Sequence, residues 1–121
     1  MIQDYSSFLP LSPATLHILL SLAGEERHGY GIMQEVARQS EGQYKLGPGT
    51  LYDNLQRLMR QGLVAEASHH SAHDGRGNDP RRRYYRLTAS GRGLLGAEIA
   101  RLEGVVREAA MRLRPAPRRA S

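Results

Sequence analysis

The amino-acid sequence predicts a mainly α-helical protein with one small two-stranded β-hairpin and a long C-terminal helix. Three observations predict this class: a capped amphipathic segment at residues 47–64, two short β-prone runs around a loop rich in Gly, Asn, Asp and Pro, and a regular apolar pattern after Thr88. A chain of 121 residues is long enough for one domain with a modest core, and short for a deep enclosed active site.

The first of these observations is the segment GPGTLYDNLQRLMRQGLV, from Gly47 to Val64. Gly47 can serve as the N-cap and Pro48 can occupy the first helical position, while Gly62 can take the left-handed conformation that ends a helix. The apolar residues with helical spacing, which predict a half-buried helix, are Leu51, Leu55, Leu58 and Met59.

The opposite face of this helix carries side chains that are suited to hydrogen bonding with base edges or phosphates, and it lacks a Lys/Glu ladder of the solubilising type. These residues are Thr50, Asp53, Asn54, Gln56 and Arg57. Taken alone, the segment is equally compatible with a solvated face on a structural helix. The rest of the chain favours a recognition helix.

Two further helices are predicted before this segment. The first spans Pro13–Ala23, with Ser12 as its N-cap. Its apolar residues go nearly all the way round, so we expect other elements to cover it on two sides. The second helix is predicted over Tyr30–Gln39, after an entry turn at residues 28–29.

The β-hairpin is predicted from the runs Leu63–Ala67 and Arg82–Leu87, which a long loop joins. Three helices followed by a hairpin are the order of a winged helix-turn-helix, in which the third helix enters the major groove and the hairpin, or wing, lies along the flanking backbone. From Arg76 to Arg86, the loop and second strand carry five arginines against one acidic residue, Asp79, which predicts phosphate contacts. These arginines are Arg76, Arg81, Arg82, Arg83 and Arg86.

The net charge of +5 is unevenly distributed along the sequence. Residues 1–60 carry five basic and six acidic side chains, a balance of −1, whereas residues 61–121 carry twelve basic and six acidic ones, a balance of +6. Nearly all the basic residues are arginine, which suits recognition of phosphate or guanine and is equally compatible with a biased genome. The basic second half indicates double-stranded DNA as a partner.

The third observation concerns a final helix that Thr88 is expected to cap. Its apolar residues have spacings of 4, 3, 4, 3 and 4, the seam of a coiled coil, at Leu95, Ile99, Leu102, Val106, Ala109 and Leu113. A homodimer is favoured over intramolecular packing because the small core cannot cover this whole helix. The predicted organisation is a DNA-binding domain at 1–88, a dimerisation helix at 89–114 and a basic disordered tail at 115–121.

Several classes of protein and site are disfavoured. The chain contains no cysteine, which excludes disulfides and thiolate zinc sites. It has neither a membrane-length apolar run nor a signal-peptide layout, so a cytoplasmic protein without membrane contact is expected. No G-x-S-x-G elbow, Walker loop or dinucleotide fingerprint is present, and we expect neither catalysis nor a cofactor. One group of side chains in the predicted loop could ligate a transition metal, although histidines that are simply solvated are the favoured alternative. The group consists of His69, His70, His73 and Asp74.

Several motifs of the chain resemble the PadR family of transcriptional regulators, over a stretch from Leu9 to about Leu95. The motifs are HGYGI at 28–32, PGTLY at 48–52, LQRLMRQGLV at 55–64 and RRYYRLTASG at 82–91. The resemblance implies a dimeric winged-helix repressor whose long C-terminal helix forms the dimer and whose release from DNA is often controlled by a small molecule. The single C-terminal helix is similar to that of the shorter subfamily.

Two departures from the family pattern are visible. Asp53 stands where the family usually has proline, and its carboxylate can repel phosphate or accept a hydrogen bond from a cytosine amino group. The chain has no tryptophan, which some members use to stack flat aromatic ligands.

Tyr30 and Tyr52 resemble motif tyrosines that could place a hydroxyl on phosphate, with plain packing as the open alternative.

The sequence therefore predicts a homodimeric repressor that binds a roughly palindromic operator, with half-sites about one helical turn apart, under the control of a small-molecule effector. The alternative is a winged-helix dimer that serves as a small-molecule sensor or protein-interaction module and binds DNA weakly. Thr50, Asn54 and Arg57 are the foremost expected base or phosphate contacts. The complete predicted DNA-binding set is Tyr30, Thr50, Tyr52, Asp53, Asn54, Arg57, Arg76, Arg81, Arg82 and Arg83.

Overall fold

The computed structural model describes residues 4–67 and 83–115. Within these ranges the helices are α1 (Pro13–Leu22), α2 (Gly29–Gln39), α3 (Pro48–Arg60) and α4 (Ala89–Leu113), and a short 3-10 helix at Ser6–Phe8 precedes them. The strands in the same ranges are β1 (Arg27–His28), β2 (Val64–Glu66) and β3 (Tyr84–Leu87). The predicted class, mainly α with a small β-sheet in winged helix-turn-helix order, is confirmed.

The described sheet has three strands rather than the predicted two. β3 is central and pairs antiparallel with both β2 and β1. Val64 lies opposite Leu87, and Arg27 lies opposite Tyr85. β1 has only two residues, too few to show an alternating pattern in the sequence, and it forms by covering the edge of β3. This pairing ties the start of α2 to the second strand of the wing.

Both ends of α3 are as the sequence predicts. Gly47 is the N-cap and Pro48 the first helical residue. At the other end Gly62 has a φ of +75°, the Gly62 amide donates to the Met59 carbonyl at 3.1 Å, and the Leu63 amide donates to the Leu58 carbonyl at 2.9 Å. These two bonds are a Schellman motif, which turns the chain sharply from α3 into β2.

α2 begins at Gly29, one residue before the predicted start. His28 is its N-cap, and the Nδ1 atom of the imidazole accepts a hydrogen bond from the Gly31 amide at 3.0 Å. Histidine is not among the side chains preferred at an N-cap, so propensity did not reveal this role. The ring also makes an edge contact with Tyr84 of β3, with ring centroids 5.3 Å apart, and thereby links the helix start to the sheet.

The hydrophobic core lies between the four helices and the inner face of the sheet. α1 packs against α2, α3, α4 and β3, which confirms that this nearly all-apolar helix is covered on several sides. The buried apolar residues are Ile18, Leu19, Leu22, Ile32, Val36, Leu46, Leu51, Leu55, Leu58, Leu63, Val64, Tyr85, Leu87, Leu94 and Leu95. The outer face of α3 is left free of packing by this arrangement.

Residues 4–12 form an N-terminal arm that is attached to α4. Glu98 of α4 is only 1% exposed, and its Oε2 atom accepts a hydrogen bond from the Leu11 amide at 3.1 Å. Arg101 donates to both carboxylate oxygens of Glu98, at 2.6 and 3.1 Å. The Tyr5 ring lies over Gly93, where a Cβ atom would overlap its hydroxyl. The buried carboxylate is thus fully paired and anchors the arm.

Substitution of Glu98 by glutamine tests this anchor through the pH dependence of stability. The Arg101 hydrogen bonds hold the pKa of Glu98 below its ordinary value of 4.5, so the stabilisation is fully present above that value and is lost as the pH falls through the lowered pKa. We expect the wild type to exceed Glu98→Gln in unfolding free energy near neutral pH, with a gap that narrows below about pH 4. Urea unfolding between about pH 3 and 7 measures this gap.

The matched control for Glu98→Gln is Glu103→Gln, because Glu103 is exposed on the same helix. For Glu103→Gln, the plot of unfolding free energy against pH should run parallel to that of the wild type over the whole pH range measured. Parallel profiles for Glu98→Gln and the wild type would contradict the anchor.

Candidate nucleic-acid interface

The outer face of α3 is a continuous polar surface. Thr50, Asp53, Gln56 and Arg60 are all exposed, while the opposite side of the same helix supplies leucines to the core. The predicted contact set includes Thr50 and Asp53 but omits Gln56 and Arg60. Helical periodicity alone places the last two opposite the leucines, and this signal was available in the sequence.

Arg57 lies beside this face, where α3 meets the start of α1. Its Nη2 atom donates to Thr15 Oγ1 at 2.9 Å and to Asn54 Oδ1 at 2.6 Å. The residue is otherwise exposed, so most donors of the guanidinium face solvent. Among the described residues, no carboxylate lies within ion-pair distance of this guanidinium. Within the described part of the chain, its positive charge is therefore not neutralised by a carboxylate.

Asn54 does not lie on the outer face, although the sequence pattern predicts it there with the other polar residues. It is only 8% exposed. Its Nδ2 atom donates to the Thr50 carbonyl at 2.8 Å, and its Oδ1 atom accepts from Thr15 at 3.2 Å as well as from Arg57. The physical reason is its place at the edge of the leucine stripe, where α1 covers it. The structure therefore places Asn54 in a buried link between α1 and α3 and not on the outer face.

Tyr52 and Tyr30 lie on the other flank of α3, near the start of α2. Tyr52 is 43% exposed and Tyr30 is 63% exposed. The Tyr52 hydroxyl lies against Gly29, the first residue of α2, where a Cβ atom would overlap it. Tyr30 belongs to the first turn of α2, and the Tyr52 hydroxyl stands beside that turn, where the helix dipole gives a partial positive charge.

The wing is described only at its base. Arg83 is exposed, and its Nε atom lies 3.6 Å from Glu66 Oε1 across the β2–β3 pair. Arg86 of β3 is exposed as well. The other predicted wing contacts and the histidine group lie outside the described residues: Arg76, Arg81, Arg82, His69, His70, His73 and Asp74. Within the part of the chain that is described, no three His, Cys, Asp or Glu residues are arranged to hold a metal ion.

The predicted seam of α4 divides into two parts. Leu95 is 7% exposed and belongs to the core. Further along the helix, Ile99 is 39%, Val106 is 65% and Leu113 is 81% exposed. The same stretch also exposes Val105 and Met111, which the predicted seam does not include. The exposed apolar surface therefore begins after the helix leaves the core.

The comparison with known families identifies the chain. The model of the transcriptional regulator PadR-like family matches residues 18–97, well over half of the sequence. The chain belongs to this family. The resemblance inferred from the sequence motifs is thus confirmed, and the matched range runs from α1 to the first turns of α4. The PadR family is one of transcriptional regulators, which are typically not enzymes.

Individual relatives agree with this assignment. The chain is 41% identical over 93 residues to the transcriptional regulator Rv3488 of Mycobacterium tuberculosis. The aligned region covers 77% of this chain and 78% of that protein. A PadR-like transcription factor from Bacteroides fragilis superposes with a TM-score of 0.62 at 27% identity, over 80% of this chain and 86% of that one. A PadR-like regulator from Bacillus cereus shares the fold, with a TM-score of 0.66 at 20% identity. That superposition covers 84% of this chain and 92% of the other.

None of the helices in the described ranges combines the length and apolarity that crossing a bilayer requires.

Proposed function

We propose that this PadR regulator is a homodimeric repressor that acts in the cytoplasm and binds a roughly palindromic operator through the outer face of α3. The observation that carries the proposal is the row of exposed polar side chains on that face, which includes Asp53, Gln56 and Arg60. Exposed polar side chains alone also suit a solvated helix, and the winged helix-turn-helix order of this PadR chain favours the DNA-binding role. In a winged helix-turn-helix, this face is the one that enters the major groove.

The chemistry of these three residues suits base readout. Arginine can donate two hydrogen bonds to the O6 and N7 atoms of guanine, and glutamine can pair with the N6 and N7 edge of adenine. Asp53 supplies an acceptor for a cytosine amino group and repels phosphate, so it favours one register of the helix in the groove. These roles are proposed for Arg60, Gln56 and Asp53, and Thr50 is proposed as an additional hydrogen-bonding contact.

Phosphate contacts are proposed on both flanks of α3. On one side, Tyr30 and Tyr52, beside the partial positive charge at the start of α2, form a group that can receive a phosphate. On the other side, Arg57 offers a charge that no carboxylate among the described residues neutralises. Arg83 at the base of the wing extends this basic surface, and Arg76, Arg81 and Arg82, which lie outside the described residues, are proposed as further phosphate contacts. Such contacts fix the register but carry no sequence information.

The dimer is proposed to form through α4. Residues 1–88 make up the DNA-binding domain in this proposal, residues 89–114 the dimerisation helix and residues 115–121 a basic tail. Support comes from the apolar side chains that α4 exposes beyond the core, because an unassociated helix would keep them in water. A two-fold dimer presents two copies of α3, which explains why a palindromic operator is expected.

A small-molecule effector is the remaining part of the proposal, and a sensor that binds DNA weakly is the alternative function. The feature that favours either is a groove of about 360 Å³ between the N-terminal arm, α1 and α3. It is lined by Ser7, Phe8, Ser12, Thr15, Arg57, Leu58, Gln61, Leu63 and Leu94. A ligand in this groove would touch Arg57 and the arm at once, so it could couple α4 to the DNA-binding face.

The decisive test is the selection of bound sequences from a random duplex pool, followed by affinity measurements at two salt concentrations. A palindromic winner that binds at least about a thousandfold tighter than a scrambled duplex is expected. The affinity should also fall steeply with salt as counterions are released. Equal affinities for both duplexes, or a flat salt response, would contradict the proposal and favour the sensor.

Arg60→Ala tests the face of α3 in the same assay. If Arg60 pairs with a base, we expect its removal to weaken binding to the selected duplex by about 10- to 100-fold and to relax specificity at one position. Equal weakening on all duplexes, with a smaller salt slope, would instead identify a phosphate contact. The matched control is Arg107→Ala, which removes the same charge from an exposed position on α4. Similar losses in both variants would contradict the assignment of α3.

A further inference from the structure

We infer that Thr15, in α1, is a positioning residue that holds the guanidinium of Arg57 ready for DNA. The inference rests on the proposed function and deepens it, because it assigns a DNA-related role to a residue outside α3 and the wing. Thr15 is 6% exposed and therefore acts through Arg57 rather than by touching DNA itself.

The hydroxyl of Thr15 uses its whole hydrogen-bonding capacity. Its Oγ1 atom accepts from Arg57 Nη2 at 2.9 Å and from Ser12 Oγ at 3.0 Å, and it donates to Asn54 Oδ1 at 3.2 Å. A hydroxyl offers one donor and two acceptor sites, so all three are occupied. The hydroxyl cannot rotate without breaking one of these bonds, which gives Arg57 a fixed acceptor.

Asn54 completes the support from within α3. Its Oδ1 atom accepts from Arg57 Nη2 at 2.6 Å, and its Nδ2 atom is tied to the Thr50 carbonyl. The amide orientation is thus set by the helix backbone. One nitrogen of Arg57 is held by two buried, neutral oxygens that belong to two different helices, while the remaining donors stay accessible.

The neutrality of these two acceptors is the argument for a role in binding. If Arg57 served only to link α1 to α3, a carboxylate acceptor would form stronger hydrogen bonds with it than these neutral oxygens do. Asp53 lies four residues before Arg57 on the same helix, the spacing that favours an ion pair, yet Arg57 bonds to Thr15 and Asn54 instead. The network thus directs Arg57 away from Asp53, and none of the described carboxylates pairs with its charge.

Loss of this positioning should be visible as a modest loss of affinity. Ordering a long, flexible side chain on binding costs about as much free energy as a three- to tenfold change in affinity. We therefore expect Thr15→Val to weaken binding to the selected duplex by about three- to tenfold. Thr15→Ser keeps the hydroxyl and should bind within about twofold of the wild type.

A double-mutant cycle separates positioning from a general effect on folding. In the full chain, Arg57→Ala should weaken binding, and Thr15→Val should have no further effect once Arg57 is gone. Independent, additive losses from the two substitutions would overturn the inference, as would a loss for Arg57→Ala with none for Thr15→Val. Thermal unfolding of each variant establishes that binding is measured on folded protein. Ser12 can still cap α1 through the amide of residue 15, so Thr15→Val should fold.

A measurement without DNA distinguishes failure of the inference from failure of the proposed function. NMR relaxation of the Arg57 Nε–H group reports the mobility of this side chain in the free protein. We expect a rigid group in the wild type and in Thr15→Ser, and a mobile one in Thr15→Val. An equally mobile Arg57 in all three proteins would overturn the inference even if the protein selects a palindrome. A rigid Arg57 in a protein that selects no sequence would refute the proposed function instead.

Discussion

Replacement of Gly91 by alanine is expected to destabilise the protein by about 3 kcal/mol, the upper part of the range for overpacked sites. Gly91 lies in the first turn of α4 and is buried against the α3–β2 junction. A Cβ atom at this position would overlap the backbone carbonyl oxygen of Leu63 and would lie 2.8 Å from Leu87 Cδ1. A side chain can rotate away from such a contact, whereas a backbone carbonyl cannot.

The hydrogen bonds around this carbonyl make the site rigid. Leu63 O accepts from the Thr88 amide at 3.2 Å, and the Thr88 hydroxyl donates to the Gly62 carbonyl at 2.7 Å. The same hydroxyl caps α4 by accepting from the Gly91 amide at 3.0 Å. Moving α4 away from Leu63 would therefore strain the cap, the Schellman turn of α3 and the start of β2 together.

Urea unfolding of Gly91→Ala and Gly96→Ala measures the effect against a matched control. Gly96 lies on the same helix, and a Cβ atom there would meet nothing within 4 Å. Alanine at Gly96 is expected to stabilise the helix by up to about 1 kcal/mol, because it removes the entropic cost of glycine. Equal changes at the two positions would contradict the close approach of α4 to Leu63.

The helices of the winged domain could be predicted from local signals. α3 has a leucine stripe between two marked ends, and Ser12 and Thr88 are N-caps of the kind that propensity favours. Each of these signals lies within a few residues of the feature that it predicts. The bounds of α1, α3 and α4 are therefore close to the predicted ones.

The features that escaped prediction depend on contacts between distant segments. β1 exists because residues 27–28 meet β3, nearly sixty positions later in the chain. Asn54 is a polar residue at the border of an apolar stripe, and only the arrival of Thr15 from α1 decides that it is buried. Leu95 fits the coiled-coil spacing and also fits the core, and periodicity does not distinguish these two environments.

Beyond Leu95, α4 exposes the apolar residues that form the proposed dimer interface. Changing one of them is expected to have the second large effect. Val106→Asp is expected to dissociate the proposed dimer and to weaken binding to a full palindromic duplex by about 100-fold or more, because two linked half-site contacts become two separate ones. Val106 is 65% exposed in one chain, so the aspartate should leave the fold of each protomer intact. In the dimer, the same carboxylate would be buried among apolar side chains without a partner.

Ala100→Asp is the matched control, since it adds the same charge to an exposed position of α4 outside the predicted seam. Sedimentation at micromolar concentration should show monomers for Val106→Asp and dimers for both the wild type and Ala100→Asp. All three proteins should bind a single half-site with similar affinity, because α3 is unchanged in each. If Val106→Asp remains a dimer with full affinity, the interface lies on another face of α4, where Val105 and Met111 are the exposed apolar residues.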